Sequence, residues 1–212
     1  MRYHARGLWH VRRLWAGVVL TAVVIISAWL FYDISVRVQP AIGRLARGVG
    51  TPELLGASLA ALLPAVCVPA FDAREKAATL TARITHTFIS ATFLIAPLLV
   101  IHAWYQSVRF HVPSQTLPPA WDLAGNVLLA GSIGVVSTLI VGPRVGPLVT
   151  LLAYSGFVVA QQAWPESVLT KHFSTGKDWT TNWWLTAGIC VCAIALDYLL
   201  CSVPWRRARH DE

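Results

Sequence analysis

The chain has 212 residues, of which 56% are hydrophobic and 13% charged, and its formal net charge is +7. Soluble domains carry about 25% charged residues, so this composition excludes most soluble enzyme classes and points to a surface that meets lipid. The basic excess does not signal nucleic acid, because the arginines and lysines sit in short segments beside apolar runs, where they orient helices and meet anionic head groups.

Six apolar runs follow one another along the chain. Arg2, Arg6, Arg12 and Arg13 precede the first, Leu14–Tyr32. That run exceeds the core of a secretory signal, about 7–15 residues, and ends in Ser27-Ala28-Trp29-Leu30-Phe31-Tyr32 rather than at a small-residue cleavage site, so a retained helix is expected. The connection Asp33–Thr51 places Ile34, Val36, Val38, Ile42 and Leu45 among Arg37, Arg44 and Arg47, which suggests a short interfacial helix. The second run, Leu54–Phe71, contains Pro64 and Pro69; each removes a helix hydrogen bond, so the segment either spans or re-enters.

The third run, Ile84–Trp104, is bracketed by His86 and His102, and the Tyr105–Asp122 connection carries Pro113, Pro118 and Pro119, which favour extended chain. The fourth run, Leu123–Val141, holds Gly125, Gly131 and Gly134 with Asn126, Ser132, Ser137 and Thr138, a composition for close helix packing. Gly142-Pro143-Arg144-Val145-Gly146-Pro147 reads as a tight turn that makes the fourth and fifth runs an antiparallel pair. In the fifth, Leu148–Trp164, the residues Tyr154, Gln161 and Gln162 either line a polar path or form an interfacial end. Trp164, Trp179, Trp183 and Trp184 then mark a membrane–water interface. The sixth run, Trp183–Val203, contains Asp197 and leads into Pro204-Trp205-Arg206-Arg207.

A bilayer's hydrocarbon core is ~30 Å thick and needs ~20 apolar residues to cross as a helix, and a helix bonds its own backbone polar groups. The expected fold is therefore all-α: a single polytopic domain of about six transmembrane helices in the cell membrane. With the N-terminus in the cytoplasm, eleven Lys/Arg fall inside and six outside, so the positive-inside rule places both termini in the cytoplasm.

A polar group inside a span is a candidate functional residue. Asp197 is the clearest, either as a structural ion pair with the arginines that follow or in a proton or substrate role. Cys67, Cys190, Cys192 and Cys201 lie in or at the ends of spans and read as small buried side chains. Cys190 and Cys192 fall on different faces of a helix, and neither a zinc signature nor a disulfide framework is present. His86 and His102 have no histidine in another span to complete a haem's axial pair. Gly131-Ser132-Ile133-Gly134 has the wrong order for a serine nucleophile elbow, and no aspartate-rich pair or P-loop occurs. Neither enzymatic activity nor a cofactor is expected.

The segment Phe71-Asp72-Ala73-Arg74-Glu75-Lys76-Ala77-Ala78-Thr79-Leu80, leading through Thr81-Ala82-Arg83 into the third run, resembles the first cytoplasmic loop of ABC-2 type exporter permeases. In that family an acidic–basic cluster followed by Thr-Leu forms a coupling helix that docks on an ATPase subunit; Ala78 stands here where the family usually has glycine. The six runs, the basic N-terminal segment and the long connection before the last run are also similar to that family. The Ala/Val/Leu/Arg-rich style resembles small actinobacterial integral membrane proteins of unassigned role. The resemblance implies a permease working with a separate ATP-binding cassette ATPase, as a homo- or hetero-oligomer, with Arg74, Glu75 and Lys76 as coupling contacts. Two other readings remain open at this point. One is the substrate-binding membrane subunit of an energy-coupling-factor importer, with the tryptophans near its pocket; the other is a non-transporting structural or immunity membrane protein.

Overall fold

The computed structural model describes residues 13–38, 47–67, 80–111, 120–164, 167 and 181–200. They are mostly helical: α1 (Leu14–Leu30), α2 (Thr51–Val66), α3 (Leu80–Ile95), α4 (Leu98–Val108), α5 (Ala120–Val141), α6 (Gly146–Ala163) and α7 (Trp183–Leu200). Two strands, β1 (Ser35–Val38) and β2 (Arg47–Gly50), join α1 to α2.

Two stretches are long and apolar enough to cross a membrane, Ile84–Val108 and Ala120–Val141. The first joins α3 and α4 across Ala96-Pro97. Proline supplies no N–H and breaks the ladder, and the N–H groups of Leu99 and Val100 turn to the carbonyls of Ala96 and Pro97, both at 3.1 Å. The third run is thus one apolar stretch with a proline joint. α1, α2 and α7 are shorter apolar helices. At 1.5 Å per residue, the 16 residues of α2 rise about 24 Å.

Where an interfacial helix was expected between the first two runs, the described residues form an antiparallel ribbon that pairs Ser35 with Gly50 and Val36 with Val49; Ile42, Arg44 and Leu45 lie outside the described residues. The reason is local. Ile34, Val36 and Val38 alternate with polar residues at the period of a strand, and Gly48 and Gly50 disfavour helix. Val49 is buried against α2 and α6.

α2 and α5 form the centre. One apolar cluster gathers Ala28, Leu59, Leu63, Val100, Trp104 and Val127 from α1, α2, α4 and α5. A second gathers Val49, Ala57, Ala60, Ala130, Tyr154 and Val158 from β2, α2, α5 and α6. The glycines of the fourth run permit this. A Cβ at Gly134 would strike the carbonyl oxygen of Ala60, and one at Gly131 would crowd Leu94 at 3.2 Å. On the α2 side, a Cβ at Gly56 would lie 2.8 Å from Val127. Pro64 is accommodated in the last turn of α2, and the helix ends at Cys67.

The α5–α6 turn is as tight as its sequence implies. Gly142 adopts φ 89°, a left-handed conformation that glycine tolerates. Below it the Ser137 and Thr150 hydroxyls lie 2.7 Å apart and 3.1 and 2.8 Å from the Gly146 carbonyl, so their two protons are shared among three contacts. A Cβ at Gly146 would meet Thr138 at 2.8 Å. Much of the outer surface is apolar: Val18, Ile26 and Trp29 on α1, Phe88 and Ile95 on α3, Leu152 on α6, and Val191 and Leu199 on α7 are exposed.

Candidate functional site

Interhelical contacts define two ends of the bundle. At the first, α1 finishes, and α2, α5 and α7 begin. The Thr51 hydroxyl lies 2.6 Å from the carbonyls of both Phe31 and Ile34. The Trp104 indole N–H donates to the Tyr32 carbonyl at 2.7 Å, and the Ser107 hydroxyl to that of Trp29 at 2.9 Å. Asn182 caps α7, its side-chain oxygen accepting the Leu185 N–H at 3.2 Å.

Inside this end lies a chain of buried polar side chains drawn from three helices. Glu53 sits in the first turn of α2, behind Pro52, with only 1% of its surface exposed. The Asn126 amide on α5 donates to Glu53 Oε1 at 2.8 Å. The Gln161 amide in the last turn of α6 donates to Asn126 Oδ1 at 3.4 Å. Both donors run toward the carboxylate, so Asn126 is an oriented link with an acceptor filled on one side and a donor used on the other. The N-terminus of α2 adds a positive dipole end beneath Glu53.

A second acid lies one turn before Asn126. Asp122 Oδ1 accepts the backbone N–H of Thr181 at 3.2 Å and lies 3.4 Å from its hydroxyl. This clamps the start of α7 onto α5, and a Cβ at Gly125 would collide with Thr181. Trp121 and Trp183 meet edge to face above it, with ring centroids 6.0 Å apart.

At the opposite end Asp197 on α7 is 2% exposed and its Oδ1 lies 3.2 Å from His86 Nε2 on α3. One partner of Asp197 is thus a histidine of another helix, where the sequence suggested a following arginine. Arg206 and Arg207 lie outside the described residues, as do Arg74, Glu75 and Lys76. Among the described residues no group of three or more His, Cys, Asp or Glu side chains is placed to hold a metal ion. Cys67 is buried and Cys192 exposed, with Cys190 between them, 3.6 Å from the Ser132 hydroxyl.

Glu53 is the buried residue that sequence reasoning passed over, one position before the second apolar run. The signal was present: Thr51-Pro52-Glu53 is a helix start, with proline at the first helical positions and an acid in the first turn. The sequence left Gln161 open between a polar path and an interfacial end, and read Asn126 as a packing residue. No protein-family model matches the chain, and no curated protein or solved structure is similar to it.

Proposed function

We propose that the chain is a multi-pass integral membrane protein that serves as the membrane-embedded subunit of a transport system. The observation that carries this reading is the inverted distribution of polarity. Glu53, Asn126, Gln161, Asp122 and Asp197 are buried, while valine, leucine, isoleucine, phenylalanine and tryptophan side chains cover the outside of α1, α3, α6 and α7. A soluble bundle of this size has no reason to expose such a surface, and lipid removes the cost of doing so. Buried ionisable groups inside a lipid-facing bundle mark solute or proton paths more often than stability devices. Six crossings fit when α3 and α4 count as one, with the Glu53 end outward and the Arg144 turn in the cytoplasm.

Within this class the permease of an ATP-driven exporter is the most specific proposal. Asp72–Arg83 would offer the cytoplasmic coupling contact, with Arg74, Glu75 and Lys76 gripping a separate ATPase, and the motion would pass into α3. Rigid-body displacement of α3 against α5 and α7 would then reshape the bundle. Affinity purification in mild detergent, followed by mass spectrometry, tests the partnership. A stoichiometric ATP-binding cassette subunit that is lost on combined charge reversal of Arg74 and Glu75 is the expected result. A chain that purifies alone, folded and in full yield, rejects it.

A further inference from the structure

Neither of the two buried apolar clusters includes a residue of α7. That helix packs on α5 and α3, and on its α6 side an open groove of about 690 Å³ lies between Leu196 and Val149. Its described polar ties sit toward its two ends. Where it begins, Asp122 of α5 accepts the Thr181 N–H at 3.2 Å. Near its finish, Asp197 meets His86 of α3, also at 3.2 Å. Between them lies the weaker 3.6 Å contact of the Ser132 hydroxyl with Cys190 Sγ. The side chains one turn along from the second tie are small: α3 buries Ser90 there, and α7 buries Ala193. Small side chains bury little apolar area, so the polar pair carries a larger share of the hold between α3 and the end of α7.

The two partners differ in access. The Asp197 side chain is 3% exposed, whereas that of His86 keeps 23% and lies in the first turn of the apolar stretch Ile84–Val108, at its edge. Imidazole is the side chain that exchanges its proton between about pH 5 and 8. Neutral, it shares a hydrogen bond with Asp197. Protonated beside an ionised carboxyl, it forms an ion pair, and charge-assisted bonds are roughly twice as strong as neutral ones. The other titratable groups are elsewhere or on the same two helices. Asp122 of α5 and Glu53 of α2 belong to the opposite end of the bundle, and His102 of α4 bonds Gln106, farther along the same stretch. Cys67, after α2, faces Gly17 of α1. α3 also carries Arg83, one turn before His86, and α7 carries Cys190, Cys192 and Tyr198; Arg206 and Arg207 lie outside the described residues. We infer that His86 and Asp197 form a proton-operated latch on α7: with His86 protonated the end of α7 is docked on α3, and with His86 neutral it is released toward the open groove. On the transport reading above, the latch decides whether α3 moves together with α7 or past it. The latch itself needs no solute and no partner subunit.

Two spin labels read the latch: Ile84→Cys on α3 and Leu199→Cys on α7, both exposed positions. They are placed in the full chain, in mild detergent, with Cys67, Cys190, Cys192 and Cys201 replaced by alanine. Double electron–electron resonance at about pH 5.5 is expected to give one short separation, and at about pH 8 a second, longer one. The ratio of long to short should rise about ten-fold, the difference between a neutral and a charged hydrogen bond. In that parent, His86→Gln and Asp197→Asn each remove the pH response. His86→Lys, charged at both values, keeps the short separation throughout. His102→Gln, at an exposed position of α4, leaves the response intact. A parent whose separation ignores pH, a response that survives in His86→Gln or Asp197→Asn, or a long separation favoured at low pH overturns the inference. Purification without an ATPase subunit rejects the exporter reading and leaves the latch measurement unaffected, so the two failures are distinguishable.

Discussion

The amide of Asn126 on α5 donates to the carboxylate of Glu53 on α2 at 2.8 Å, across 73 residues of sequence and between the two central helices of the bundle. The bond joins the first turn of one helix to the second turn of another, and through Gln161 it reaches a third.

Asn126→Leu takes the donor from Glu53 and the acceptor from Gln161 together. A buried polar group left short of a partner costs about 1–3 kcal/mol, more when charged, so stability should fall by about 2–3 kcal/mol. Glu53→Gln keeps the shape and an oxygen for Asn126, and should cost about 1 kcal/mol or less. Denaturant titration in detergent reads both. A double-mutant cycle should return a non-zero coupling, since interhelical hydrogen bonds in membranes reach about 1.7 kcal/mol; additive single effects would show that the two residues act independently.

Gly134 and Gly156 make a matched pair. A Cβ at Gly134 meets the Ala60 carbonyl, whereas at Gly156 it meets nothing within 4 Å. Gly134→Ala should force α2 and α5 apart and cost about 1–3 kcal/mol, as overpacking does. Gly156→Ala should be neutral or stabilise by about 0.5–1 kcal/mol, through lower backbone entropy in the unfolded chain. Thermal unfolding midpoints that move the same way in both variants would contradict this packing.

His86 and Asp197 tie α3 to α7 across 111 residues. His86→Leu removes a polar partner from a buried carboxylate and should destabilise by about 1–3 kcal/mol. Asp197→Asn retains an acceptor for His86 and should cost less. If Asp197→Asn leaves stability and transport both intact, the acid has no proton or substrate role.

Cys192 is exposed on the outside of α7 while Cys67 is buried. In a lipid-facing position an exposed thiol is screened from water. In membranes carrying Cys201→Ser chain, a charged maleimide should leave Cys192 unmodified until the bilayer is dissolved, and a small uncharged maleimide should reach it before Cys67. Rapid labelling of Cys192 by the charged reagent in intact membranes would place this face of α7 in water.

The helical class of the chain was written locally. Apolar runs, Gly142 at the α5–α6 turn, the glycines of α5 and the alternation of Ile34, Val36 and Val38 each express a demand met within a few residues, although the last was first read as an interfacial helix. The joint between α3 and α4 was missed in reading the third run as one helix, although its cause is equally local: Pro97 lacks the N–H that would continue the ladder. The polar relationships were decided elsewhere. Nothing near Glu53 indicates that Asn126 will supply its donor, and nothing near Asp197 indicates His86, since both meetings depend on which helix packs against which and at what height. Periodicity tells a helix which face to bury. Only the close approach that Gly134 and Gly56 allow between α2 and α5 determines which buried polar groups face one another.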